Sequence, residues 1–184
     1  EGFGAMHMTV KDGVRCSTAN AYLRPAMERP NLTVITRAMT RQIVLDGKRA
    51  VGVSYDHGGQ THTVRCSREV LISAGPIGSP HLLQRSGIGP AAVLNKAGVV
   101  VRHDLPGVGE NLQDHSEIYI QYACKEPVTL NSKMDPLSKL MIGLRWLVCK
   151  DGLGATNHFE AGGFIRSGQG LRWPDIQFHF LPAA

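Results

Sequence analysis

At 184 residues, with 42% hydrophobic and 19% charged side chains, the chain falls within the composition of ordinary globular proteins and can build one core or little more. Its net charge of +5, from 20 Lys and Arg against 15 Asp and Glu, is spread singly over positions such as Arg37, Arg41, Lys48, Arg65 and Arg85. With no basic run and no interleaved aromatics, a nucleic-acid groove is not expected. No apolar run reaches the roughly 20 residues that span a bilayer, and no charged-then-apolar leader opens the sequence, so neither a membrane span nor secretion is expected.

The four cysteines, Cys16, Cys66, Cys124 and Cys149, form no C-x-x-C pair. That argues against a zinc ribbon, a redox motif or a disulfide scaffold, and reduced thiols in a cytosolic setting are expected. The sequence opens on EGFGAMHMTV without an initiator methionine and closes on FHFLPAA just after a strand pattern, so it reads as a piece of a longer protein.

Taken in chain order, residues 31–74 give five strand-like runs: LTVIT, RQIVL, AVGVSY, THTVRC and EVLISA. They are separated by DGK at 46–48 and HGG at 57–59, residue types that close tight hairpins. Short helices are predicted over 80–85 and 90–97, and VVVRH at 99–103 returns to strand. After the loop LPGVGENLQDH, EIYIQYACK alternates Ile118, Ile120, Tyr122 and Cys124 on one face. Residues 136–150 repeat Leu137, Leu140, Met141, Leu144 and Leu147 or Val148 at helical spacing. FEAGGFIR and DIQFHFL complete the set as strands. The composition changes at 106–115, which predicts a boundary between residues 1–115 and 116–184. The fold class expected is mixed α/β (α+β): a mixed sheet with a meander and short helices, then the start of an antiparallel sheet.

Two glycine patterns resemble nucleotide fingerprints. Gly87-Ile88-Gly89-Pro90-Ala91-Ala92 fits G-x-G-x-x-A, with Asp104 near the position of a ribose-binding acid. The fingerprint needs a strand running into its first glycine, whereas HLLQRS precedes Gly87, and Pro90 removes an amide that would face the phosphates. Gly107-Val108-Gly109-Glu110-Asn111-Leu112 follows a strand pattern but places an acid where a pyrophosphate would be repelled. A tight structural loop is the expected role there.

The combination of motifs is more specific. SAGPIGSPHLLQRSGIGP at 73–90 sets Gly75, Gly78, Gly87 and Gly89 and Pro76, Pro80 and Pro90 around one short apolar run. From Gly75 to Gly89 it resembles, position by position, the second signature of the glucose-methanol-choline (GMC) flavin oxidoreductases. Residues 105–115 resemble that family's next block, and PNLTV at 30–34 with AVGV at 50–53 resemble the strands before the signature. GFG near the start, CKEP at 124–127 and NHFEAGGFIR at 157–166 are similar to members that oxidise choline. The resemblance spans nearly the whole chain.

It implies a fragment of an FAD-binding fold over 1–115 and the beginning of a substrate-binding domain over 116–184. It also implies FAD as cofactor, with the backbone of Thr40 beside the adenine and Ala74, Gly75 and Ser79 against the cofactor. A helix beginning near Ser79, with Pro80 in its first turn, would present its positive end. Asn111, Asp114 and His115 would line the cofactor cleft, although a structural hydrogen-bonded role for His115 is equally open. The family's N-terminal G-x-G-x-x-G and its C-terminal catalytic histidine have no counterpart here. None of the eight histidines is therefore assigned as catalytic base, and the piece alone is expected to be inactive.

For a choline-like substrate, which offers no N–H to an acceptor, a carboxylate and aromatic faces are needed. Glu160 is the candidate carboxylate, with Trp146, Phe159 and Trp173 as candidate walls, while a solvent-facing Glu and core-packed Trp remain open. The expected function is oxidation of choline to betaine aldehyde by hydride transfer to FAD, with the electron acceptor unassigned. The alternatives are another GMC alcohol oxidoreductase, acting on a polyol, aromatic alcohol or alkanol, and a non-catalytic module that kept the fold. A cytoplasmic location, or a peripheral one on the inner face of a membrane, accords with the family. No metal site is expected.

Overall fold

The computed structural model of the chain describes residues 1–183. The chain divides into two compact units, residues 34–117 and residues 1–33 with 118–184. In the first unit, β4 (Met39–Asp46), β5 (Arg49–His57) and β6 (Gln60–Arg65) form an antiparallel meander in that order. Its turns are those the sequence specifies. Gly47 takes φ +56° between Asp46 and Arg49, and Gly58 and Gly59 take +60° and +78° between His57 and Gln60, as two-residue hairpins require.

Helix α2 (Gly75–Arg85) packs against β4 through a polar pin. The buried Ser86 Oγ accepts from Ile43 N at 2.8 Å and donates to Leu82 O at 2.7 Å, which satisfies an amide on the outer edge of β4. Beyond it, β7 (Ile88–Gly89) pairs in parallel with β8 (His103–Asp104), and α3 (Ala91–Lys96) lies between them in sequence. Leu94 of α3 is the most deeply buried large side chain, 1% exposed. Asp104 Oδ1 accepts from Ala91 N at 2.8 Å and so caps α3.

In the other unit, β1 (Gly2–Ala5), β9 (Ala161–Ile165) and β10 (Ile176–Phe180) form an antiparallel sheet with β9 in the centre. This joins the first residues of the chain to a strand about 160 positions later. The small hairpin of β2 (Val10–Lys11) and β3 (Val14–Arg15), the short helix α1 (Arg24–Ala26) that continues a π-helical turn at Ala19–Leu23, and α4 (Pro136–Cys149) complete the unit. Asp135 caps α4 by accepting from Ser138 N at 2.9 Å, with Pro136 in the first turn. The β2–β3 turn is held to α4 by Trp146 Nε1, which donates to Gly13 O at 2.7 Å.

The sequence expectation departs from the structure in four places. The helix expected from Ser79 begins at Gly75 instead, because Pro76 supplies the N-terminal proline and Ser79 Oγ accepts from Ala74 N at 3.1 Å rather than capping a later start. Pro80 therefore sits inside the helix, where it can donate no amide to Pro76. LTVIT, EVLISA and EIYIQYACK form no strand: strand geometry needs a ladder, and no sheet among the described residues includes them. Only His103 of VVVRH enters a strand, as part of β8. The apolar stripe of α4, from Leu137 to Val148, lies on the exposed side, while Ser138, Ile142, Gly143 and Trp146 form the half-buried side.

This exposure is general. The accessible surface is 15,074 Å², whereas two separate compact units of these sizes would expose about 10,500 Å² in all by surface-to-mass scaling. Among the described residues the buried apolar core is Ile43, Leu94 and Val108, all in the unit spanning 34–117. Many large apolar side chains, among them Ile118, Tyr122, Leu137 and Val148, are thus exposed.

Candidate functional site

The first turn of α2 is open. Of its leading amides, Ala74 N is taken by Ser79 Oγ and Pro76 has none, which leaves Gly75 and Ile77 to face an outside acceptor. Gly75 takes φ +81°, and a Cβ placed on it would meet nothing within 4 Å, while Ile77 is 71% exposed. With the positive end of an 11-residue helix behind them, these amides suit an electron-rich group laid across the turn.

Thr40 stands half-buried at the start of β4, the strand on which α2 packs. Asn111 takes φ +58°, and Asp114 Oδ1 accepts from His115 N at 2.8 Å. Asn111, Asp114 and His115 all lie exposed in a segment without regular structure.

Both look-alike fingerprints are consumed by packing. A Cβ on Gly87, at φ +84°, would fall 2.4 Å from Val100 O and 2.7 Å from Arg102 Cγ. Gly89 and Gly109 make room for one side chain, Gln84: a Cβ on the first would lie 3.0 Å from its Cγ, and one on the second 2.7 Å from its Nε2. Gln84 Nε2 donates to Val108 O at 3.0 Å and ties the two loops together. Asp104, the would-be ribose acid, is occupied as the cap of α3.

Glu160 lies just before β9. Met6 N donates to its carbonyl at 2.9 Å and extends the β1–β9 ladder by one residue. Paired residues share a face, so Glu160 belongs with Met6, Gly4, Gly162, Phe164 and His179, and the opposite face carries Phe3, Phe178 and Phe180. Glycine at 2, 4 and 162 leaves a hollow of ≈ 310 Å³ beside Met6 and Phe164 on the Glu160 face. A larger one of ≈ 510 Å³ lies between Phe3 and the phenylalanines of β10. Phe3 and Phe178 meet across Gly163 with ring centroids 5.2 Å apart.

The carboxylate of Glu160 is exposed and makes no hydrogen bond or ion pair among the described residues. Arg166, just past the other end of β9, is engaged by Glu1, whose carboxyl it holds below the usual range, chiefly through its backbone N–H. Of the three candidate aromatic walls, two are already taken. Lys150 Nζ stands 3.9 Å from the Trp146 ring centroid and Arg172 Cζ 5.0 Å from that of Trp173, so each indole serves a cation of its own chain. The i, i+4 spacing of Trp146 and Lys150 was a legible signal of this. Phe159 remains, in edge contact with His179 at 5.7 Å and 81°.

No group of His, Cys, Asp and Glu suited to a metal occurs among the described residues, and none of their helices is long and apolar enough to cross a membrane.

A family model described as GMC oxidoreductase matches residues 1–117. The oxygen-dependent choline dehydrogenase of Photobacterium profundum is 62% identical over 184 residues, covering 100% of this chain and 32% of its own length. That of Vibrio vulnificus is 58% identical over the same span, 33% of its length. The chain thus spans about a third of the curated relatives it matches. Among solved structures, an FAD-dependent oxidoreductase from Chaetomium thermophilum aligns with a TM-score of 0.74 at 27% identity, over 88% of this chain and 29% of that one. A formate oxidase of Aspergillus oryzae RIB40 aligns at 0.78 and 21%, over 90% and 29%, a likeness of fold alone.

Proposed function

The chain belongs to the GMC oxidoreductase family, and on that premise we propose that it is the central part of a flavoenzyme that oxidises choline to betaine aldehyde. The observation that carries this reading is whole-chain similarity to oxygen-dependent choline dehydrogenases, 54–62% identical over their matching third. The open first turn of α2 supports it.

Bound FAD supplies the acceptor for the hydride that leaves the carbinol carbon. The residues present fit it: the amides of Gly75 and Ile77 at the positive end of α2 would hold an electron-rich part of the cofactor, with Ser79 fixing Ala74 so that the turn keeps its shape. Thr40, Asn111, Asp114 and His115 complete the proposed cofactor set. Residues 1–115 are assigned to the FAD-binding domain and 116–184 to the start of the substrate domain, although Glu1–Thr33 forms one compact unit with the later segment through the β1–β9 pairing.

On the substrate side, Glu160 offers an unpaired carboxylate and Phe159 a ring, the two features that a quaternary ammonium requires. Their task is to bind and orient the cationic end so that the hydroxyl end is presented for reaction. The hydroxyl proton goes to a base outside these 184 residues. Location in the cytoplasm, or at the inner face of a membrane, follows the same reading.

Activity of the complete polypeptide on choline against benzyl alcohol tests the substrate. The proposal predicts at least about a hundredfold preference for choline in kcat/KM, roughly the discrimination of two to three well-placed kcal/mol. Equal or reversed preference would assign a different alcohol.

A further inference from the structure

Resting on the cofactor set proposed above, we infer that Gln84 is a positioning residue for the flavin cleft: from the last turn of α2 it fixes the root of the segment that carries Asn111, Asp114 and His115, and so sets that segment's place relative to the open amides at the other end of the helix.

The contact is assembled from three separate stretches of sequence. Gln84 Nε2 donates to Val108 O at 3.0 Å, and Val108 is 8% exposed, so the side-chain amide satisfies a carbonyl at a buried position. Gly89 and Gly109 clear its path from both sides, since a Cβ on either would press on the Gln84 side chain. Gly109 also takes φ +86°, which glycine enters freely. The loop is stitched to the same corner by its backbone: Leu105 N donates to Gly89 O at 3.0 Å, and Val108 N to Leu105 O at 3.2 Å. An apolar side chain of equal length would fill the space, but only a donor answers the Val108 carbonyl.

This anchor stands close to the proposed cofactor residues. Asn111 follows Val108 by three residues, a reach of at most about 11 Å, so holding Val108 confines where Asn111 makes its left-handed turn at φ +58°. In the other direction, the amides of Gly75 and Ile77 open the same helix about 14 Å or less along its axis from Gln84. The helix is thus a spacer between two groups that the flavin reading brings to one cofactor.

The test uses the complete flavoprotein and two measurements: hydrogen exchange over residues 107–115, and the rate at which the bound flavin becomes fluorescent in dilute urea. Gln84→Met, which keeps the length and loses the donor, is expected to lower protection and to quicken flavin exposure, each by about fivefold, the worth of one neutral hydrogen bond. Gly89→Ala acts on the same side chain from the other side, at a residue without a left-handed φ. It is expected to move both measurements in the same direction and to add little once Gln84→Ala has cleared the space. It serves if the methionine variant fails to fold.

Unchanged protection over 107–115, looser exchange there with unchanged flavin exposure, or full additivity of Gly89→Ala with Gln84→Ala would overturn the role of Gln84. Asn111→Gly and His115→Ala remove proposed cofactor-lining side chains and leave Gln84 in place. If they quicken flavin exposure and Gln84→Met does not, the role of Gln84 falls alone. If neither they nor Gln84→Met does so, the assignment of residues 111–115 to the cofactor falls, and this inference with it.

Discussion

Replacing Ser86 by Ala removes a hydroxyl that joins the end of α2 to the edge of β4, and the structure states which group suffers. Ser86 is 8% exposed, and its hydroxyl accepts from Ile43 N while donating to Leu82 O. The Leu82 carbonyl keeps a partner, because Ser86 N also donates to it at 3.1 Å. Ile43, 6% exposed, has no such substitute: its amide points away from β5 and is left buried and unpaired. Such a loss costs about 1–3 kcal/mol, which corresponds to a fall in amide protection of roughly five- to 150-fold if local opening governs exchange. Hydrogen exchange of the complete protein, read on a peptide covering 41–47, measures this directly. Protection at Ile43 should fall within that range while the β5–β6 amides change little. Unaltered protection at Ile43, with the same denaturation midpoint as the parent, would refute the claim that this hydroxyl pins the helix to the sheet.

Three further outcomes follow from the same structure. Gly87→Ala should destabilise the protein by at least about 2 kcal/mol, since it joins a left-handed φ to a backbone clash, and should leave the flavin dissociation rate unchanged; faster flavin release without destabilisation would restore a phosphate-binding role to the G-x-G. Trp146→Phe should free the β2–β3 turn from α4 at a cost of about 1 kcal/mol, seen as faster exchange in residues 10–15, and equal exchange there would contradict the bond to Gly13. Hydrogen bonds hold three carboxyls below their usual value of 3.8: from Ser138 to Asp135, from Arg145 to Asp151, and from Ser167 to Asp175. Because the folded values lie below the unfolded ones, their contribution is complete above about pH 4 and is lost as pH falls through the lowered values. Protection of the Ser138 and Ser167 amides should therefore hold steady from about pH 7 to 5, after correction for intrinsic exchange, and decline only in stronger acid; a decline within that neutral-to-mild range would contradict this assignment.

What could be read from the sequence was local. The hairpins at Gly47 and Gly58–Gly59 are dictated by turn chemistry, and β4, β5, β6, β9 and β10 lie where alternation and β-branched residues put them. The start of α2 was not legible, because two prolines competed for its first turn and the outcome depended on where the Ser79 hydroxyl turned. EVLISA and EIYIQYACK have strand chemistry, yet a ladder is a property of two segments, and none forms on either among the described residues. The partnership of β1 with β9 is a long-range choice that no local pattern encodes.

The site shows the same division. Glycines at 87, 89 and 109 look alike in sequence, and only packing reveals that they make room for Val100, Arg102 and Gln84. Glu160 and Phe159 were visible as a carboxylate beside a ring.

The central claim, that this chain contributes to a flavin site serving choline, is tested most directly by titrating the complete purified protein with choline in the absence of air and following its visible absorbance. The account predicts a yellow protein whose flavin absorbance bleaches in proportion to choline added. A colourless protein, or a yellow one that choline leaves unchanged, would contradict it.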